Sequence, residues 1–406
     1  MAVLGWQAGK FTGRNILEVQ PKLQIFTWVF NVMPVFFLVG GFANAASWTS
    51  ASQRGLSFAD WLRRRSSRLL RPAIMFVAFW TVLPAIAVMG GLPASVARTG
   101  GREVALPLWF LAIYVVTIAA APPLLAAHRR YGPGVIVTLV AGAAVVDLTN
   151  FGAGIPVVGE LNYAFVWLAV LELGFLWRDG TLTSRRWLPW VMAFGGLAVM
   201  TALVRLVDYP VSMLDLSHAT RSNAFPPSFA LLALAVWQTG AVLILEGAGN
   251  RALQHMKLWL LVVQANSMIM TMYLWNMSAV VLAAVILLPT GIFPQPVPLS
   301  ASWLALRVVW ILACAVCLIP FVLGFRWAER PTEPPPASGP GLLSTIVAVA
   351  GVAASAAGLG ILADVAFPVP GQGPLVPGIG VALFALGALL LEVNPFAKGV
   401  TLNASN

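Results

Sequence analysis

"DWLRRRSSRLLRPAIMFVAFW", residues 60–80, sets Arg63, Arg64, Arg65, Arg68 and Arg71 directly against an unbroken apolar run. A strand of a membrane barrel alternates apolar and polar residues over about ten positions, and this run does not alternate. It reads as a helix that enters a bilayer from a basic surface. Two roles are open for the arginines. They are a topology signal, or they hold a phosphate-bearing substrate at the membrane face.

The rest of the 406-residue chain agrees with the membrane reading. It is 59% hydrophobic and only 9% charged, whereas about a quarter of a soluble domain is charged. Its mean hydropathy is +0.87. In lipid every backbone amide must be bonded within the protein, so runs of about 20 apolar residues mean helices. The fold class expected is an all-α polytopic bundle. About eleven spans are predicted, near 24–47, 72–92, 106–127, 133–150, 160–178, 187–207, 226–246, 257–289, 303–325, 342–366 and 375–395. "RWAERPTEPPPASGPG", 326–341, is a Pro-rich linker between a membrane core, 24–325, and a two-span tail, 342–406, that is rich in Gly and Ala.

The net charge is +10, from 20 Arg and 4 Lys against 14 acidic residues. That balance fits loops facing anionic membrane lipids better than it fits nucleic acid. Alternate loops carry 16 and 8 basic residues, and the richer set, which holds Arg63–Arg65, is assigned to the cytoplasm. The C-terminus is then cytoplasmic and residues 1–23 are external. An exported basic segment is unusual, so a further span upstream is expected, with "MAVLGW" as its end. Cys314 and Cys317 form a CxxC inside an apolar run with no second pair, so they read as small apolar fillers of a helix and no metal site is expected.

Four pieces carry a resemblance. "NVMPVFFLVGGFANA" (31–45), "SFADWLRRRSSRLLRP" (57–72) and "LPLWFLAIYVVTIAAAPPLL" (106–125) come in the order and spacing of the acyltransferase-3 family of bacterial integral-membrane O-acyltransferases. "MYLWNMSAVV" (272–281) resembles that family's late "YLWH" segment, with Asn276 where histidine is common. The family acts with a histidine in its first span and an arginine about ten residues earlier. This chain has neither, and its histidines are His128, His218 and His255.

The resemblance implies acyl-CoA as donor, no bound cofactor, and a hydroxyl of an envelope glycan or lipid as acceptor. Its R-x-x-R maps onto Arg65 and Arg68, which share a helical face and carry planar forks suited to phosphate oxygens. Positions 63 and 64 precede that face and are expected nearer water. Trp109 begins a span and lines an acyl or acceptor channel, or belongs to an interfacial aromatic belt. Asn276 stands 19 residues past Lys257, about 28 Å along one helix, on a polar path for a thioester arm or as interhelical glue.

The longest outer loop, 208–228, holds His218, with Asp215 three residues before it to orient the ring as a catalytic base. Asn223 of the same loop is a candidate substrate-binding residue. Glu172, an ionisable residue inside a span, is a functional candidate or part of a local ion pair with Arg178 and Asp179. No role is assigned to His128 or His255. A lipid or glycan transporter and a catalytically inactive relative are the competing functions. Against the transporter, no inverted repeat is found.

The charge bias predicts that a membrane-impermeant thiol reagent on intact cells labels a cysteine placed at Ser217 and spares one placed at Ser57. The reverse pattern would overturn the assigned orientation.

Overall fold

The computed structural model describes residues 2–7, 10–152, 156–216, 221–291, 293–294, 296–330 and 341–396. Ten helical stretches among them are long and apolar enough to cross a membrane, and Leu375–Leu390 is an apolar helix too short to count with them. The protein is an all-α polytopic bundle, as expected. Two departures come before the first long helix. Ala2–Gln7 pairs with Lys10–Asn15 in a two-stranded sheet, so "MAVLGW" is not the end of a helix. The first long helix starts at Met33, after short turns at Pro21–Phe26 and Thr27–Phe30.

The helices form two compact units, interleaved in sequence. The first contains Arg14–Gly55 and Ala120–Trp259. Its centre is the crossing of the Met33–Gln53 and Asn162–Arg178 helices. A side chain at Gly174 would put its Cβ 2.3 Å from the Leu38 carbonyl oxygen and 2.6 Å from the Phe42 nitrogen. At Gly41 it would lie 2.2 Å from the carbonyl oxygen of Leu171. Apolar tails gain little by leaving lipid, so close backbone approach and dispersion hold such helices together. Phe37 stacks on Trp167 beside the crossing, with ring centroids 4.1 Å apart. The Leu188–Leu206 and Phe229–Ala252 helices repeat the device, with Gly240 facing the backbone of Ala193 and Gly196 that of Trp237.

Polar side chains close the gaps where helices end. Asp147, the last residue of the Gly134–Asp147 helix, accepts from Asn162 Nδ2 at 2.6 Å, the Tyr209 hydroxyl at 2.9 Å and the Phe229 backbone nitrogen at 2.6 Å. That last bond caps the start of the Phe229–Ala252 helix. Tyr209 lies outside the spans, and its burial, then the Asp147 charge, push its hydroxyl pKa up. Gln238 donates to the carbonyls of Trp28 and Asn31, which fixes the entry to the first long helix.

The second unit contains Ala2–Gly13, Leu56–Ala119 and Leu260–Asn406. Its Phe58–Met89 helix begins five residues before the arginine run, because Ser57 accepts from the Asp60 nitrogen and donates to the Asp60 carboxylate. The arginines are therefore helical, not part of a loop. The single span expected over 257–289 is broken. Met256–Asn266 and Ile269–Leu287 are separate helices, so counting residues from Lys257 does not locate Asn276. Glu329 explains the restart, accepting from the backbone nitrogens of Met270 at 3.3 Å and Thr271 at 2.5 Å. Gly100 and Gly101 lie within a further short helix, Ala94–Ala105, where a loop was expected.

The tail helices, Leu342–Val365 and Leu375–Leu390, pack through small residues. A Cβ at Gly358 would fall 2.4 Å from the Phe384 nitrogen, and one at Gly387 2.3 Å from Ser355 Oγ. Cys314 and Cys317 are free and half-buried, and pack against a cluster of Ala283, Ala284, Leu288 and Trp310.

Gly174→Val should destabilise the protein by about 3 kcal/mol or more, because the obstructing atoms are backbone. Gly195 has nothing within 4 Å of an added Cβ, so Gly195→Ala should be neutral or slightly stabilising. Thermal unfolding in detergent compares the two, and equal stability of Gly174→Val and the parent would refute the close crossing.

Candidate functional site

Four of the five arginines of the 63–71 run, which belongs to the second unit, divide into two classes. Arg63 is 4% exposed, with Nε 3.4 Å from Glu392, Nη1 3.9 Å from Asp60 and a hydrogen bond to Ser344. Arg71 is 3% exposed and donates to the carbonyls of Arg330 at 2.8 Å and Pro395 at 3.4 Å. Both tie the helix to the region after the last core span. This corrects the expectation that position 63 stands nearer water. Glu392 and Ser344 lie some 280 to 330 residues away in sequence, so no local periodicity could indicate them.

Arg65 and Arg68 are placed differently. Arg65 is half-buried and hydrogen-bonded to the Tyr114 hydroxyl, with the Arg68 charge close enough to act on it. Arg68 is exposed, and its charge reaches the Glu329 carboxylate. The two guanidiniums thus share one neighbourhood, as i and i+3 positions of a helix must.

An aromatic wall adjoins Arg65. Tyr114 stacks on Phe110 with ring centroids 5.4 Å apart, and Phe110 meets the Tyr273 ring at 5.2 Å. The Tyr273 hydroxyl donates to the Pro107 carbonyl at 3.1 Å. Trp109 is half-buried and turns its ring edge-on to Phe110. Trp275 is fully buried and stacks on Phe325 at 4.2 Å and Phe321 at 4.8 Å. Asn276 is half-buried and donates its amide to the Tyr273 carbonyl, one turn back on its own helix. The arrangement can hold a polyanion on two guanidiniums and a flat or apolar group on the aromatic wall. The second unit contains no histidine.

The remaining predicted residues belong to the first unit. His218 lies outside the described residues, and Asp215 is exposed. Asn223 is fully buried. It donates to the carbonyls of Pro210 at 2.7 Å and Ser212 at 3.0 Å and accepts from the Ser228 hydroxyl at 2.7 Å. Its amide thus organises the 208–228 loop from within.

Sequence reasoning missed the strongest polar constellation. His128 is buried, with Nδ1 2.5 Å from Glu172 Oε1 and Nε2 2.9 Å from Asp179 Oδ2. Glu172 therefore pairs with a histidine that had been given no role, and Asp179 faces that histidine instead of completing a pair with Arg178. The signal available was Glu172 itself, a carboxylate inside an apolar span. Its partner is 44 residues away, beyond the reach of any helical spacing. Burial pulls the Asp179 pKa up, but hydrogen bonds from Thr181 and His128 outweigh it and hold that carboxyl below the usual range. Among the described residues no cluster of His, Cys, Asp and Glu is arranged to hold a metal ion.

No curated protein and no solved structure matches the chain. A family model described as an acyltransferase domain matches residues 4–322. That stretch takes in the arginine helix, the aromatic wall, the broken late helix and the His128 cluster. The match agrees with the resemblance carried by the segments at 31–45, 57–72, 106–125 and 272–281. The protein therefore belongs to the acyltransferase-3 family of membrane acyltransferases.

Proposed function

We propose that this acyltransferase moves an acyl group from cytoplasmic acyl-CoA to a hydroxyl of a cell-envelope glycan or glycolipid. It works in the cell membrane with its C-terminus in the cytoplasm. The observation that carries the reading is the division among the arginines. Arg63 and Arg71 are spent on architecture, whereas Arg65 and Arg68 lie together, one against Tyr114 and one exposed. Coenzyme A is a polyanion, and a guanidinium fork meets phosphate oxygens through two parallel charge-assisted bonds.

Transfer needs the acceptor O–H proton to pass to a base while the alkoxide oxygen attacks the thioester carbonyl. The C–S bond then breaks, and the coenzyme A thiolate leaves and takes a proton. No bound cofactor is required, because acyl-CoA is a substrate. Trp109 and the Phe110–Tyr114–Tyr273 wall suit the acyl or acceptor side, and Asn276 the path of the thioester arm. Asn223 shapes the acceptor loop, and His218 in that loop is the candidate base.

Arg65→Lys and Arg68→Lys keep the charge and lose the fork. Each should insert normally and bind acyl-CoA about 10- to 150-fold more weakly, the loss of one charge-assisted bond. Arg64→Lys should bind like the parent, and Arg63→Lys should lower stability more than donor affinity. Acyl-CoA binding to the purified protein is measured together with coenzyme A release in the presence of envelope glycans and lipids. Full donor affinity in both Arg65→Lys and Arg68→Lys would reduce the cluster to a topology signal. Tight donor binding without coenzyme A release for any acceptor would mark an inactive relative.

A further inference from the structure

The His128 cluster borders a cavity of about 360 Å³ within the first unit, lined among others by Arg129, Arg178, Asp179 and Thr181, with Leu125 and Phe175 as its apolar wall. We propose that this cavity is a binding site for a phosphate group, in which the Asp179 carboxylate is the internal stand-in for the ligand's anionic oxygens.

A neutral imidazole has one N–H, yet both ring nitrogens face carboxylate oxygens. Nδ1 faces Glu172 and Nε2 faces Asp179, so the ring stands between the two carboxylates.

The two carboxylates are not equivalent. Glu172 is 0% exposed, inside a span, and its Oε2 has no hydrogen-bond partner among the described residues. It holds the ring through Nδ1. Asp179 is 37% exposed and stands just past the last residue of the Asn162–Arg178 helix. Gly180 follows it with φ of +83°, and Asp179 Oδ1 accepts from the Thr181 nitrogen at 2.8 Å. Asp179 is thus a surface group at the rim of a cavity that two arginines line.

With Asp179 displaced by a ligand, His128 Nε2, Arg129 and Arg178 would line the cavity together. Arg129 gives one nitrogen to Thr49 at 2.8 Å and keeps the other donors of its fork. Arg178 is exposed. Two guanidiniums and an imidazole nitrogen around one oxygen-rich anion suit phosphate. The volume lies at the small end of the roughly 300–1,000 Å³ range of ligand pockets. It fits a headgroup or a small phosphate ester, not a molecule the size of coenzyme A. The phosphate can belong to an anionic lipid or to a soluble compound.

The test uses the full chain with two probes. One is inorganic phosphate in lipid-free detergent, read by thermal unfolding. The other is phosphatidylglycerol against phosphatidylcholine in nanodiscs, read by lipid retained in native mass spectrometry. Asp179→Asn removes the internal competitor's charge and should tighten binding about tenfold. Arg178→Gln should weaken it tenfold or more. Arg185→Gln, an exposed arginine outside the cavity, should stay within about twofold of the parent. This pattern with inorganic phosphate assigns a soluble ligand, and the pattern with phosphatidylglycerol alone assigns a headgroup. The proposal fails if Asp179→Asn binds neither probe more tightly than the parent, or if Arg185→Gln weakens binding as much as Arg178→Gln. Both arginine variants alter exposed side chains, so misfolding does not obscure the result.

Discussion

A backbone amide inside a bilayer has no water to bond, and this constraint organises both units. At two helix starts a distant carboxylate supplies the acceptor that the missing turn would have supplied. Asp147 does so for the Phe229–Ala252 helix and Glu329 for the Ile269–Leu287 helix. Each carboxylate would be costly alone in an apolar medium, by several kcal/mol even after relaxation. Each is tolerated because three donors converge on it. Arg71 answers the same constraint in the opposite sense, placing a buried guanidinium on backbone carbonyls.

The helices between those ends are held by proximity. Glycines at the crossings of Met33–Gln53 with Asn162–Arg178, of Leu188–Leu206 with Phe229–Ala252, and of the two tail helices bring backbone against backbone. Dispersion between many atoms at short range replaces the hydrophobic driving force that lipid removes. Such crossings have little slack, which suits a protein whose polar groups must meet within a few tenths of an ångström.

The basic run shows how one charge pattern serves several purposes. In sequence the five arginines look alike. In the structure Arg63 meets Glu392 and Ser344, Arg71 meets two carbonyls, Arg65 meets Tyr114, and Arg68 stays exposed. A helix turns 100° per residue, so neighbours in the run face different surroundings. Which arginine is structural and which is available follows from what packs on each face.

The sequence by itself determined that this is a helical membrane protein of about eleven apolar segments with small-residue packing. It also carried the family, because apolar run length and short ordered motifs are local properties. The glutamate inside a span was likewise visible, since a lone carboxylate in an apolar run is conspicuous wherever it points. What only the tertiary structure decided was partnership. Glu329 breaks and restarts the late helix from 58 residues away, His128 reaches Glu172 across 44 residues, and Arg63 reaches Glu392 beyond the last core span. Hydrogen bonds and ion pairs act over about 3 Å in space and leave no periodic trace along the chain. Residues joined in this way become legible as a site only after the helices that carry them have packed.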